Sequence, residues 1–94
     1  MMLLKQRNSK PVSALRNLGP KSAMMLTEAG IATLDELKEL GAVKAYVRVK
    51  SLRPKFASLN LLWALAAGFE DRDWRDLTAL EKQSLIGEVR GLRR

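Results

Sequence analysis

The residues best suited to bind a ligand form a short turn, Asn17-Leu18-Gly19-Pro20-Lys21-Ser22, just before an apolar-periodic segment. The first N–H groups of a helix lack intrahelical partners and lie at the positive end of its dipole, so they bind anions. Gly19 leaves room for a phosphate to approach the backbone, and Pro20 suits the first helical position. Lys21 adds a mobile positive charge. The turn therefore predicts an anion site at the amides near Lys21 and Ser22.

This turn resembles a helix-hairpin-helix, a motif that binds nucleic-acid backbones through a glycine turn. The hairpin of that motif reads glycine, an apolar residue, glycine and then a basic residue. Here Asn17 takes the place of the first glycine. Asparagine adopts positive φ more readily than most residues, so we expect the turn to form. A short helix over residues 13–17 would lead into it.

Composition limits the classes of protein to consider. The 94 residues are enough for one domain, and a hydrophobic content of 47% with only 5% aromatics predicts an aliphatic, helical core. Cysteine and histidine are absent from the sequence, which excludes disulfides, Cys/His zinc sites and catalysis by imidazole or thiolate. We expect neither an enzyme nor a cofactor. The net charge of +7 favours nucleic acid or another acidic partner.

The two ends of the chain and its hydropathy predict the domain limits and the compartment. Residues 1–12 resemble a basic N-terminal arm without acids, followed by a helical domain over residues 13–92. No apolar run approaches the ~20 residues of a membrane-spanning helix, and the first residues lack the order of a signal peptide. We expect a cytoplasmic protein with no membrane contact.

Apolar spacing and helix-start signals predict an all-α fold, a compact bundle of about five short helices. Thr33 with Glu36, and Thr78 with Glu81, have the spacing of capping boxes. Ser58 is a candidate N-cap for an apolar helix that we expect at the centre of the core. The predicted helices cover residues 21–29, 34–40, 42–52, 59–69 and 79–89.

Residues 42–52 fit either a half-buried strand or a helix, because their valines alternate with polar residues. We favour a helix, since a single strand has no pairing partner in this chain. Five basic residues and no acid lie between positions 44 and 55: Lys44, Arg48, Lys50, Arg53 and Lys55.

Leu52-Arg53-Pro54-Lys55 repeats the pattern of Leu18-Gly19-Pro20-Lys21 thirty-four residues later. The repeat fits a second phosphate-binding hairpin or, more simply, a shared helix-start signal. Both alternatives stay open at the level of sequence.

Several residues that could form sites fit structural roles better. We expect Met24, Met25 and Trp63 in the core, rather than in a partner groove or a base-stacking platform. The charged loop at residues 70–76 lacks the glycine of a calcium loop, so we expect it to pair its own charges. Trp74 would fold back over the core.

Longer stretches of the chain resemble the C-terminal domain of the TfoX/Sxy family of DNA-transformation regulators. The resemblance covers residues 15–85 and is strongest in Asn17-Leu18-Gly19-Pro20-Lys21-Ser22, Ser58-Leu59-Asn60-Leu61-Leu62 and Trp74-Arg75-Asp76-Leu77. It implies an all-helical domain related to helix-hairpin-helix and SAM-like folds. It also implies a role in inducing competence genes together with a transcription activator. Because only a short arm precedes the motif, we expect a stand-alone C-terminal domain.

Two functions are compatible with these features. The first is non-specific contact with the DNA backbone, which positions a protein without reading sequence. The second is a protein-interaction module that docks on an acidic partner, such as part of the transcription machinery. The candidate nucleic-acid-binding residues are Gly19, Lys21, Ser22, Arg16, Lys44, Arg48, Lys50, Arg53 and Lys55.

Overall fold

A computed structural model describes residues 10–92 and confirms the all-α bundle. Within this range two short 3₁₀ helices accompany five α-helices, and residues 42–52 are helical, as predicted. No helix of the described range is both long and apolar enough to cross a membrane. The elements are a first 3₁₀ helix (Val12–Ala14), α1 (Pro20–Glu28), α2 (Leu34–Leu40), α3 (Ala42–Leu52), α4 (Leu59–Phe69), a second 3₁₀ helix (Trp74–Asp76) and α5 (Ala79–Leu92).

The core is built around α4, the most apolar helix. Seven of its eleven residues are buried, with Leu62 and Leu65 wholly inaccessible to solvent. A helix that is apolar on nearly all sides must be covered by its neighbours. Among the α-helices α3 is its main neighbour, with the second 3₁₀ helix packed on α4 to the same extent, and α3 also packs against α1, α2 and α5. The two helices together hold the bundle around the aliphatic core.

Two glycines with positive φ set the path between α1, α2 and α3. Gly30 (φ 87°) ends α1 in the left-handed region, and the amide of Ile31 then donates to the Leu26 carbonyl at 2.9 Å. Gly41 (φ 91°) ends α2 and at once begins α3, because its carbonyl accepts the first helical bond from Ala45. These conformations favour glycine because a Cβ would be strained there.

Both predicted capping boxes are present. Thr33 Oγ1 accepts from the Glu36 amide at 3.2 Å, while the Glu36 carboxylate accepts from the Thr33 amide at 3.0 Å. Thr78 and Glu81 make the same reciprocal pair at the start of α5. Ser58 occupies the N-cap position of α4, but its side chain makes no cap bond. The first turn of α4 is therefore left without a side-chain cap.

The first described residues are part of the packed structure. The Val12 amide donates to the Ala32 carbonyl at 3.0 Å, the Leu34 amide donates to the Lys10 carbonyl at 2.9 Å, and Val12 is buried. Residues 10–12, which the sequence assigns to the arm, thus pair with the segment before α2, and the rest of the arm lies outside the described residues.

The predicted helix over residues 13–17 is wrong. The chain makes only one 3₁₀ turn and then turns extended at Leu15, which packs directly against α4.

Candidate nucleic-acid interface

Asn17 fixes the turn that leads into α1 and does so through its backbone and its side chain. Its φ of 79° lies in the left-handed region, as expected for the residue that replaces the motif's first glycine. Its Nδ2 donates to the carbonyls of Arg72 at 2.8 Å and Ala64 at 3.3 Å, and its Oδ1 accepts from the Trp74 amide at 3.3 Å. The side chain thus ties the turn to α4 and to the following loop, which a glycine could not do.

Close packing on Gly68 places the segment just before this turn. A Cβ built on Gly68 would lie 2.7 Å from the Arg16 carbonyl oxygen and 2.9 Å from two carbons of Leu15. Real Cβ atoms do not approach backbone so closely, so only glycine permits this contact. α4 therefore serves as the rigid base on which the α1 turn rests.

The N-terminus of α1 is open in the way the sequence predicts. Gly19 is the extended N-cap (φ −91°, ψ 179°), Pro20 is the first helical residue, and no side chain caps this end. The first helical bond runs from the Ala23 amide to the Gly19 carbonyl at 3.0 Å, so the amides of Lys21 and Ser22 precede it. A Cβ on Gly19 would meet nothing within 4 Å. The amides of Lys21 and Ser22 thus have no side-chain cap, and a helix end of this kind can bind an anion.

A groove of about 280 Å³ joins the N-termini of α1 and α4. Its wall contains no carboxylate, whereas four other clefts among the described residues each include at least one glutamate. Because no negative side chain of the wall would repel it, an anion is electrostatically suited to this groove. It is lined by Asn17, Lys21, Ser22, Met25, Phe56, Ser58, Asn60, Leu61, Ala64 and Trp74.

Lys21 is the cation of this groove. Its Nζ lies 5.3 Å from the centroid of the Phe56 ring, within the range of a cation–π contact. Among residues 10–92, no ion pair or hydrogen bond engages its ammonium group. The charge of Lys21 is therefore available for an external anion.

Two other predicted basic residues instead build the turn between α3 and α4, residues 53–57. Lys50 Nζ donates to the carbonyls of Pro54 at 2.8 Å and Ala57 at 3.0 Å. Arg53 donates twice to the Glu28 carboxylate, Nε to Oε1 at 3.0 Å and Nη2 to Oε2 at 2.9 Å. The hydrogen bond from Arg53 lowers the pKa of Glu28 below its usual value, so the carboxylate stays charged. These contacts fasten the α3–α4 turn to α3 and α1.

The repeat of the Leu-X-Pro-Lys pattern does not form a second hairpin. Leu52 is the last residue of α3 and α4 begins only at Leu59, so Pro54 follows a helix instead of starting one. Both interpretations of the repeat are therefore wrong. Arg53 has φ −132° and ψ 64°, in keeping with the steric exclusion of pre-proline residues from the helical region.

The nine candidate residues do not form one basic face. Gly19, Lys21 and Ser22 share the open end of α1, with Lys55 exposed in the turn that carries Phe56. Arg16 is held by the Asp71 carbonyl at 2.7 Å. Lys44 and Arg48 lie in two separate clefts, the first at the C-terminal end of α5 and the second beside two glutamates of α2. Lys50 and Arg53 are engaged in the α3–α4 turn.

The charged loop after α4 pairs its own charges, as expected, and supports the α1 turn. Arg72 binds Glu70 at 2.9 Å and Glu81 at 2.7 Å, and Arg75 binds Asp73 at 2.8 Å. The hydrogen bond from Arg72, with a smaller contribution from the Thr78 amide, lowers the pKa of Glu81 to about 2. Because the Arg72 carbonyl accepts from Asn17, this network helps to hold the candidate site.

Trp74, half-buried against the core, covers it as predicted.

The structure corrects one core assignment and confirms two. Met25 and Trp63 are buried at 7% exposure, but Met24 is 57% exposed because it points away from the bundle on α1.

Sequence reasoning also missed Phe56, which is 57% exposed and lies in the groove. Its signal was an aromatic residue directly after the basic, proline-containing Arg53-Pro54-Lys55.

The fold and the α1 turn together define a small all-helical domain with an open, cationic helix N-terminus. Residues 8–89 match the family model of the TfoX C-terminal domain. The chain therefore belongs to the TfoX C-terminal domain family, as the sequence motifs indicate. Comparisons with curated proteins and with solved structures give no match.

Proposed function

We propose that this chain is a cytoplasmic, non-enzymatic, competence-related domain that contacts the DNA backbone without reading its sequence. Membership of the TfoX C-terminal domain family supports the link to competence. A phosphate would accept hydrogen bonds from the amides of Lys21 and Ser22 and lie beside the Lys21 ammonium. The rest of the groove would follow the sugar–phosphate chain.

The observation that carries this proposal is a groove lined by an uncapped helix end and by no carboxylate, in which Lys21 has no ion-pair partner among residues 10–92. The helix dipole and the positive charge of Lys21 both favour an anion at this end of α1, and Gly19 has no side chain that would hinder a phosphate. Arg16, Lys50 and Arg53 are already held by the protein's own oxygens. We therefore expect a small footprint and weak, steeply salt-dependent binding.

A salt series on DNA binding tests the role of Lys21. Lys21→Gln should weaken binding to two unrelated duplexes about equally and reduce the slope of log affinity against log salt by about one unit, since one phosphate contact is lost. Fluorescence anisotropy of labelled duplexes from about 50 to 200 mM salt measures both quantities.

One control variant makes the same change in net charge elsewhere. Lys38→Gln alters an exposed lysine on α2, outside the groove, and should leave the salt slope close to that of the wild type. A slope for Lys21→Gln no different from that of Lys38→Gln would reject the phosphate site.

Docking on an acidic partner protein is the second candidate, favoured by the unexpected exposure of Met24. Met24 and Phe56, each 57% exposed, border the same cleft beside Lys21. Methionine adapts to varied apolar partners, and the lysine would meet an acidic residue. A complex with a purified partner that survives nuclease treatment and is lost in Met24→Gln would favour this role over DNA contact.

A further inference from the structure

Phe56 is an exposed aromatic residue that the protein holds in a fixed turn. Its amide donates to the Arg53 carbonyl at 3.0 Å. Lys50 binds the carbonyls on both sides of it, and Arg53 ties the same turn to Glu28 on α1. Two cations are thus used to present a ring that is 57% exposed. An aromatic surface on a rigid turn is preorganised to stack on a flat ligand.

The surroundings of the ring select the chemistry of that ligand. Lys21 lies over the ring, and its flexible stem lets the ammonium move from the ring to an incoming anion. Lys21 and Ser22, at the uncapped end of α1, line the same groove as Phe56 and Trp74. The groove thus offers an anion site and an aromatic ring within the reach of one side chain. A nucleotide carries the matching pair, a phosphate and a planar base.

We propose that this groove binds single-stranded nucleic acid, with a phosphate at the α1 N-terminus and the adjoining base stacked on Phe56. The inference rests on the proposed contact with the DNA backbone and adds that the bound nucleic acid is single-stranded. In a duplex the bases are stacked on one another and cannot reach the ring. An unpaired base can leave its neighbours and stack on an aromatic side chain, which tolerates every base because each has a π-face.

Two probes separate the phosphate contact from the base contact. One is a labelled oligothymidine of about twelve nucleotides, and the other is an abasic strand of equal length and charge. The wild-type chain should bind oligothymidine about fivefold or more tightly than the abasic strand. Phe56→Leu, which keeps an apolar side chain, should remove this difference, whereas Phe56→Tyr, which keeps the ring, should preserve it.

Other variants and probes keep this test distinct from that of the backbone contact. Lys21→Gln should weaken both strands by a similar factor, because it removes the phosphate contact. Leu80→Ala, which alters an apolar residue that is 80% exposed on α5, should change neither. Replacing oligothymidine by oligouridine then shows whether DNA or RNA is the preferred source of the strand.

Each outcome has one meaning for the inference. Equal wild-type affinity for both strands, or an undiminished ratio in Phe56→Leu, would overturn the stacking role. If Lys21→Gln still lowered the salt slope, the backbone contact would stand without it. If the wild-type chain bound neither strand nor a duplex, both proposals would fail together.

Discussion

The α1 turn and the α3–α4 turn share the pattern Leu-X-Pro-Lys but have opposite roles. In the first, Pro20 begins a helix, and the ammonium of the neighbouring Lys21 lies over the Phe56 ring without an ion-pair partner in the described part of the chain. In the second, Pro54 follows a helix and Arg53, at the position of Gly19, is neutralised by Glu28. Lys55, at the position of Lys21, is exposed but does not lie at a helix start. Only the first turn leaves helix amides and a cation open to an external anion. The comparison shows that the same four-residue pattern can precede an uncapped helix N-terminus or form a structural clamp.

The pre-proline rule explains why both turns mark a helix boundary. Gly19 (φ −91°, ψ 179°) and Arg53 (φ −132°, ψ 64°) both lie outside the helical region, as steric contact with the proline ring requires. The rule does not say on which side of the boundary the helix lies. That depends on the flanking residues, since the helical residues 42–52 precede Arg53 while residues 20–28 follow Gly19.

The largest effect on this comparison is expected at Asn17, because its side chain makes three hydrogen bonds that tie the α1 turn to α4 and to the following loop. Asn17→Ala would lose those bonds, and alanine would have to keep φ at 79°, a conformation that is unfavourable for it. The free energy of unfolding should fall by roughly 2–4 kcal/mol. Asn17→Gly relieves the strain but not the lost bonds, so it should cost about 1–2 kcal/mol less. Urea unfolding of both variants measures the difference, and equal losses would contradict the role of positive φ.

Gly68 gives the next largest effect, through the base on which the α1 turn rests. Gly68→Ala would place a Cβ 2.7 Å from the Arg16 carbonyl oxygen and should cost about 1–3 kcal/mol. Gly87→Ala on α5, where a Cβ meets nothing within 4 Å, is the matched control and should gain up to about 1 kcal/mol from helix propensity. Thermal melts should therefore shift in opposite directions. If both variants shifted the melting temperature in the same direction, the close contact of Gly68 with residues 15–16 would not be important for stability.

Acid should produce a smaller effect, through the loop that holds Asn17. The pKa of Glu81 is about 2 in the folded chain because Arg72 donates to it, against about 4.3 when unfolded. The unfolded state therefore binds a proton first, and the stability from this pair is lost as pH falls from about 5 towards 2. Glu81→Gln keeps the capping acceptor but not the charge, so its stability should fall less steeply over that range. The measurement is the urea midpoint of the wild type and of Glu81→Gln as a function of pH. Parallel curves for the two proteins would contradict the role of the Arg72–Glu81 pair.

The sequence by itself determined the local structure of this protein. Thr33 and Thr78 with their glutamates start helices, Gly30 and Gly41 end them, and Asn17 takes positive φ, because each depends on neighbours within a few residues. The open end of α1 was predictable for the same reason. The family's motifs, which lie within such segments, were recognisable too.

Only the tertiary structure decided which charges remain available. Arg53 pairs with the Glu28 carboxylate across 25 residues, and Arg16 donates to the Asp71 carbonyl across 55, so these contacts depend on how distant segments pack. The same packing placed the Lys21 ammonium over the Phe56 ring and placed Lys44 and Arg48 in other clefts. Backbone conformation is set largely by steric contacts between neighbouring residues, whereas the partner of a long charged side chain is set by whatever the fold brings within its reach.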